Sequence, residues 1–237
     1  MKKILLTFII VLLSLASNVV IADRSSNQGS SLSAEDIENE RKINAVIVKE
    51  ARVRAENNPG FRDLKPGIAK PDYKKYCNQA TGGDSCYGIQ NIKFKAVYGK
   101  FHKVSSIGKN KFGVEILNKL ILDMGPIVQS DGSILSIVED ILTEKEESNI
   151  YLKMKKNFDT KYALDYEYSE RDRQLFNEGE KKELLGVYSN GQVVLKINRK
   201  ERDYSKDLWL FIEYRDEGAA KEFLEKNRPV TATLDDF

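Results

Sequence analysis

The residues whose type and spacing best suit a binding surface are six lysines in an acid-free stretch from Ser85 to Val114. Phe94, Tyr98 and Phe101 are interleaved with them. A row of like charges creates a local positive potential that attracts polyanions. The same lysines would also suit a solvated edge strand, where they discourage pairing with another sheet. The pattern predicts a basic face with six candidate ligand-binding residues, Lys93, Lys95, Lys100, Lys103, Lys109 and Lys111.

Catalytic chemistry has little support in the sequence. Ser85 and His102 with an acid would make a serine-hydrolase triad, but no G-x-S-x-G elbow surrounds the serine. His102 is the sole histidine, which excludes a histidine-rich metal site. No phosphate-binding loop, dinucleotide fingerprint or EF-hand loop is present. We therefore predict no catalytic residue, no metal site and no cofactor, with an unrecognised hydrolase as a lesser alternative.

Residues 1–22 have the three parts of a secretory signal peptide. Two lysines precede an apolar run from Ile4 to Ala16, and a small-residue cleavage site ends at Ala22. We expect export to the periplasm or cell surface, with an uncleaved membrane anchor and a buried first helix as the alternatives. No later apolar stretch approaches the roughly 20 residues needed to span a bilayer, so we expect no transmembrane span after the signal is removed.

The two cysteines, Cys77 and Cys86, are separated by eight residues that include turn-forming types. In an oxidising compartment such a pair is expected to form a local disulfide. A metal pair or a redox dithiol is the alternative, but the spacing does not match a C-x-x-C motif.

The charge balance argues against a dedicated nucleic-acid-binding protein. The chain has 38 basic and 36 acidic residues, and residues 1–22 hold two lysines and no acid. Removing them leaves 36 of each, whereas nucleic-acid binders are usually strongly basic. Apolar residues make up 41% of the chain, which is enough to form a sizeable core.

The exported chain is predicted to be a flexible leader over 23–33 followed by one α+β domain over 34–237. The sheet is expected to be mainly antiparallel, with packed helices and an N-terminal helix. Ser33 and Asp36 form a capping box at the start of that helix, predicted over 34–56. An irregular segment over 57–90 and a body of sheet and helices over 91–237 follow.

Within the body, hydrophobic periodicity predicts the individual elements. A helix-like pattern marks 116–124, 134–142 and 217–226, and less clearly 169–182. Alternating apolar residues mark strands over 92–98, ended by Gly99, and then over 101–106, 150–154 and 162–168. The Ser189–Gln192 sequence predicts a tight hairpin turn, because Asn-Gly tolerates positive φ at both central positions. Leu208–Ile212 is apolar on both faces and is predicted to be a central strand.

The chain resembles the small exported antigens of Borrelia-type spirochaetes. The resemblance lies in the leader Lys2-Lys3-Ile4-Leu5-Leu6, the mature chain rich in lysine and poor in histidine and cysteine, and the run from Trp209 to Leu224. It implies an envelope or surface location and binding of host molecules. Many members are lipoproteins, whereas the first cysteine here is Cys77.

Together these features predict an exported, non-enzymatic binding or antigen protein of the bacterial envelope. Its partner would be a protein or an anionic polymer of host or envelope origin, held by the basic face. The alternative is a periplasmic structural or assembly factor that docks on protein partners through its sheet.

Overall fold

The structure is a computed structural model that describes residues 33–76, 80–81, 85–86, 96–104, 113–128, 132–143, 149–202 and 205–227. The predicted signal peptide, nearly all of the predicted leader and Cys77 lie outside these residues. So do four of the six lysines, Lys93, Lys95, Lys109 and Lys111. The signal peptide and the Cys77–Cys86 disulfide therefore stay predictions.

The chain divides into two compact units, residues 1–37 and residues 38–237. In the first unit, Ser33 Oγ accepts a hydrogen bond from the Asp36 backbone N–H at 3.1 Å. The Asp36 carboxylate in turn accepts one from the Ser33 N–H at 3.2 Å. The predicted capping box is therefore formed, and it begins helix α1 (Ala34–Ala55), as the sequence predicted.

The described residues form six helices and eight strands, which confirms the predicted α+β class. The remaining helices are α2 (Lys70–Lys75), α3 (Val138–Thr143), α4 (Ile150–Lys161), α5 (Glu170–Glu178) and α6 (Glu217–Asn227). The strands are β1 (Ala80–Thr81), β2 (Ser85–Cys86), β3 (Ala96–Val104), β4 (Val114–Pro126), β5 (Leu164–Glu167), β6 (Glu183–Tyr188), β7 (Val193–Arg202) and β8 (Ser205–Arg215). None of the described helices is both long and apolar enough to cross a membrane.

All eight strands belong to one antiparallel sheet in the order β1-β2-β3-β4-β8-β7-β6-β5. Strand β8 lies between β4 and β7, so the predicted central strand Leu208–Ile212 is confirmed. Since side chains alternate along a strand, β8 sends Leu208, Leu210, Ile212 and Tyr214 to one face, whereas the other face has its charged residues together with Trp209 and Phe211. We call these the first face, marked by Leu210, and the second face, marked by Glu213.

The main hydrophobic core lies on the first face. Leu122, Leu195 and Leu210 from three neighbouring strands are at most 1% exposed. Helices α2 to α5 cover this face through Tyr73, Val138, Ile141, Tyr151, Phe158 and Phe176. Helix α6 packs instead on the second face, where the Phe223 ring lies 3.8 Å from the Arg215 guanidinium.

The helix predicted over 116–124 is wrong, because this segment is the long strand β4. Lys100 pairs with Lys119 and Phe101 pairs with Leu117, so Asn118 is an extra residue in a β-bulge. A bulge reverses the alternation of side chains along the strand. Leu117 and Leu120 therefore both reach the core, and their spacing of three residues imitates one turn of a helix. Leu122 follows at the ordinary spacing of a strand.

The strand predicted over 150–154 is also wrong, because these residues begin helix α4. Asn149 caps this helix, and its side-chain oxygen accepts a hydrogen bond from the Leu152 N–H at 2.9 Å. Tyr151 and Phe158 then face the core with a spacing of seven residues. The alternation of Ile150, Leu152 and Met154 arises because all three are partly buried against the same core.

Gly99 does not end a strand, and the separate return strand predicted over 101–106 is wrong. Strand β3 runs through Gly99 to Val104. A Cβ atom at Gly99 would lie 2.8 Å from the Phe101 ring and 3.1 Å from Leu117. Glycine is needed here because neighbouring side chains approach the backbone closely.

The segment predicted to be irregular over 57–90 contains helix α2 and the short strands β1 and β2. The helix predicted over 134–142 is present only as α3, from Val138. The other predicted elements are confirmed: β5, the helix α5 with Gly179 as its cap, the hairpin turn and α6. In that turn Asn190 and Gly191 have φ values of 55° and 77°.

Candidate anion-binding groove

The structure describes two of the six predicted lysines, Lys100 and Lys103, and both are exposed on β3. His102 between them is exposed as well. Ser85 pairs with Tyr98, so His102 lies four residues further along β3, about 13 Å away at the rise of a strand. Of these residues, Lys100 borders the charged groove described below.

The most concentrated charge in the described residues surrounds Glu213, which is 1% exposed. Lys196 Nζ lies 2.7 Å from Glu213 Oε1, and Lys119 Nζ lies 3.0 Å from Glu213 Oε2. The Arg215 guanidinium donates a hydrogen bond to the same Oε2 through Nη2. One buried carboxylate is thus held by three cations from three strands.

The register of the sheet brings these residues together. Lys119 on β4 pairs with Arg215 on β8, and Lys196 on β7 pairs with Phe211, two residues from Glu213. Long side chains on diagonal positions of neighbouring strands can contact each other. The result is a charged row that crosses the second face at the centre of the sheet.

The carboxylate at the centre of this row is strongly stabilised in its ionised form. Burial by itself would raise the pKa of Glu213, but the charges of Arg215, Lys196 and Lys119 outweigh burial and lower it to about 2. For Lys196, burial acts to lower the pKa, and Glu213 with Glu183 outweighs it, so the pKa is raised.

Two of the three cations are not fully compensated. Burial lowers the pKa of Arg215, and Glu213 offsets this only in part. Burial also lowers the pKa of Lys119, and the positive charges of Arg215 and Lys100 lower it further. These directions agree with the geometry, because a single carboxylate is shared among three cations. Another negative charge at this place would stabilise both groups.

Two buried polar atoms beside Glu213 also lack hydrogen-bond partners. They are Arg215 Nη1, a donor, and Asn118 Oδ1, an acceptor. Buried polar atoms are usually satisfied, and exceptions often mark a place where a ligand or water binds.

These residues line an open groove of about 460 Å³ between the sheet and helix α6. Five cations and three acids line it, so the groove has a net positive charge. Those side chains are Lys100, Lys119, Lys196, Arg215 and Lys226 for the cations, with Glu183, Glu213 and Glu222 for the acids. Asn118, Phe223 and Asn227 are among its uncharged lining residues.

Helix α6 forms the wall of the groove and is fixed at its start by Asp216. The Asp216 side chain accepts a hydrogen bond from the Ala219 N–H at 2.8 Å. At the hairpin turn, a Cβ atom on Gly191 would lie only 2.8 Å from Leu224 and 3.0 Å from the Ala220 carbonyl oxygen. The turn and the helix are therefore in close contact, which holds the wall over Arg215.

Sequence reasoning missed Lys119, Lys196, Glu213 and Arg215. A signal was present, because Glu213 and Arg215 share one face of an otherwise apolar central strand. Their partners come from other strands, and the residue numbers of Lys119 and Glu213 differ by 94. Comparisons with models of protein families, with curated proteins and with solved structures found no match. The function therefore has to be inferred from the groove.

Proposed function

We propose that this chain is an exported binding protein of the bacterial envelope, which holds an anionic ligand in the groove beside Glu213. The observation that carries the proposal is the sharing of one buried carboxylate by Lys119, Lys196 and Arg215. Export and envelope location rest on the signal-like residues 1–22 and on the resemblance described above.

An anionic group of the ligand would complete the charge balance of this cluster. Arg215 Nη1 has no hydrogen-bond partner, and the Lys119 and Lys196 side chains line the groove and are 23% and 15% exposed. A carboxylate, sulfate or phosphate group accepts such charge-assisted hydrogen bonds. Glu213 keeps the three cations in place while no ligand is bound and prevents their mutual repulsion.

In this proposal the anion is held by Lys119, Lys196 and Arg215 and not by the row of six lysines that the sequence predicted. Lys100 contributes to both arrangements, because it belongs to the acid-free stretch and also borders the groove. The groove differs from a row of surface lysines in being concave and partly buried. Partial burial reduces screening by salt, which otherwise largely removes the interaction between exposed charges more than roughly 8 Å apart at physiological ionic strength.

The experiment measures the retention of the purified protein on an immobilised polyuronate column in a salt gradient. The groove variant is Lys119→Gln with Lys196→Gln. The control is Lys49→Gln with Lys153→Gln, which removes the same charge from two exposed positions. A third protein carries glutamine at Lys93, Lys95 and Lys103.

We expect the groove variant to elute at clearly lower salt than the control variant, and to bind the soluble polymer at least tenfold more weakly. Charge-assisted hydrogen bonds contribute about 1.5–3 kcal/mol each, which corresponds to a loss of this size. Equal elution of the groove and control variants would refute the proposal. Loss of retention in the third protein alone would assign binding to the surface lysines instead.

A further inference from the structure

A second cavity, of about 620 Å³, adjoins the charged groove on the same face of the sheet. The two share three lining residues, Glu183, Leu185 and Asn227. Leu185 lies on β6 beside Lys196 of β7, so it forms a floor that the groove and the second cavity share. A ligand longer than a single small anion can therefore occupy both.

The lining of the second cavity suits hydroxyl groups better than charges. Tyr166, Tyr168, Ser169 and Asn227 provide phenol, hydroxyl and amide groups around the apolar Leu185. Pockets that combine an apolar surface with a few polar groups bind ligands of mixed character and fix their orientation. Tyrosine in particular offers an apolar ring and a polar tip.

The charge of the second cavity is opposite to that of the groove. Three acids and two lysines line it, so it has a net negative charge. They are Glu167, Asp172 and Glu183, with Lys181 and Lys182. A ligand that carried an anionic group on every unit would be repelled here, whereas a ligand with an uncharged unit next to its anionic unit would fit both spaces.

Several groups of this cavity are already held in position. Tyr168 Oη lies 3.3 Å from Tyr151 Oη, and Tyr151 is 2% exposed. Lys155 Nζ lies 3.1 Å from the Glu167 carboxylate. The Asp172 carboxylate accepts hydrogen bonds from Ser169 in a capping box. Their orientation is therefore set before a ligand binds.

Tyr166 differs from these groups, because its hydroxyl oxygen is buried and has no hydrogen-bond partner. Burial raises the pKa of Tyr166, and the positive charge of Arg215 acts against this rise. Tyr166 Oη and Arg215 Nη1 are both without partners, one beside each cavity.

We infer that the ligand is an acidic saccharide with alternating charged and uncharged sugar units. The anionic group of one unit lies in the groove beside Lys119, Lys196 and Arg215. The neighbouring uncharged unit lies over Leu185 in the second cavity and forms a hydrogen bond with Tyr166. This inference rests on the proposed function, since the groove must first bind the anionic group.

The experiment measures the binding of a fluorescent hexasaccharide of alternating glucuronic acid and N-acetylglucosamine by anisotropy. Inorganic sulfate and a hexasaccharide sulfated on every unit are measured as competitors. The test variant is Tyr166→Phe, which removes only the hydroxyl group. The control is Tyr76→Phe, at a tyrosine that lines neither cavity. Leu185→Trp, which fills the floor between the cavities, is a second test variant.

We expect Tyr166→Phe to weaken hexasaccharide binding about fivefold more than it weakens sulfate binding, as the loss of one hydrogen bond allows. Leu185→Trp should reduce hexasaccharide binding and spare sulfate, and Tyr76→Phe should change neither. Equal effects of Tyr166→Phe on both ligands, or tighter binding of the fully sulfated hexasaccharide, would overturn this inference and leave the groove intact. No binding of any of the three anions would instead refute the proposed function.

Discussion

Arg215 donates a hydrogen bond to the carboxylate of Glu213, two residues earlier on the same face of β8, and leaves its Nη1 without a partner. Its guanidinium also lies 3.8 Å from the Phe223 ring of α6. Arg215 thus connects the charged row of the sheet with the wall of the groove. The predictions below test this arrangement and the elements that support it.

Neutralising Glu213 should destabilise the protein substantially. Glu213→Gln removes the carboxylate that bonds to all three cations, and breaking a buried ion pair from one side costs about 3–5 kcal/mol. The free energy of unfolding in a urea titration measures the loss. Glu178→Gln, at an exposed glutamate, should change that free energy by less than about 0.5 kcal/mol. A similar small change for Glu213→Gln would mean that the ion cluster does not stabilise the fold.

Stability should fall as the solution is made acidic, and Glu213 should contribute to the fall. The pKa of Glu213 is lowered from 4.5 to about 2 in the folded protein, so its contribution is fully present above pH of about 5 and disappears as the pH falls toward 2. A shift of this size corresponds to a contribution on the order of 3 kcal/mol. Unfolding free energies measured at several pH values for the wild type and Glu213→Gln test this. Parallel curves between pH 5 and pH 2 would contradict the assignment.

The contact between the hairpin turn and α6 should make Gly191 harder to replace than Gly179. Both glycines have positive φ, 77° and 86°, so alanine is strained at either position. Only at Gly191 would the new Cβ atom collide with α6, whereas nothing lies within 4 Å of it at Gly179. We expect the free energy of unfolding to fall by about 1 kcal/mol for Gly179→Ala and by at least twice that amount for Gly191→Ala. Equal losses in thermal or urea unfolding would show that α6 does not press on the turn.

Asn149 should contribute more stability than an ordinary helix cap. It is 1% exposed, caps α4 through its side-chain oxygen and donates a hydrogen bond to the Ile141 carbonyl at 3.0 Å. Asn149→Ala removes both of these bonds at a buried position, so we expect the free energy of unfolding to fall by about 2–3 kcal/mol. Ser169→Ala at the exposed cap of α5 should cost about 1 kcal/mol. A smaller loss at Asn149 than at Ser169 would contradict this interpretation.

The sequence predicted the fold class and the elements whose local signals agree with their final structure. The capping box at Ser33, the Asn190-Gly191 turn and the apolar run of β8 all depend on residues close in the chain. Strand β4 could not be predicted in this way, because the bulge at Asn118 puts Leu117 and Leu120 on the same face at a helix-like spacing of three residues. Helix α4 could not be predicted either, because its residues Ile150, Leu152 and Met154 are all partly buried and alternate with more polar or exposed residues as in a strand.

The groove was beyond sequence reasoning because the sheet order creates it. Strand β4 lies beside β8 although three helices and three strands separate them in the chain. Only this neighbour relation brings Lys119 to Glu213. The acid-free stretch drew attention to lysines that are close in sequence, and just one described member, Lys100, borders the groove.

The central claim is that the cluster around Glu213 binds an additional anion, and thermodynamic linkage tests it most directly. A ligand that binds only the folded state raises the free energy of unfolding, and the rise grows with the ratio of the ligand concentration to Kd. The measurement compares sodium sulfate with sodium chloride at equal ionic strength, for the wild type and for the Lys119→Gln, Lys196→Gln variant. Sulfate also stabilises proteins nonspecifically, and the variant reports that part. We predict that sulfate raises the free energy of unfolding of the wild type more than that of the variant. Once sulfate exceeds Kd, this difference should grow only with the logarithm of the sulfate concentration. The same gain in both proteins at every concentration would contradict the claim.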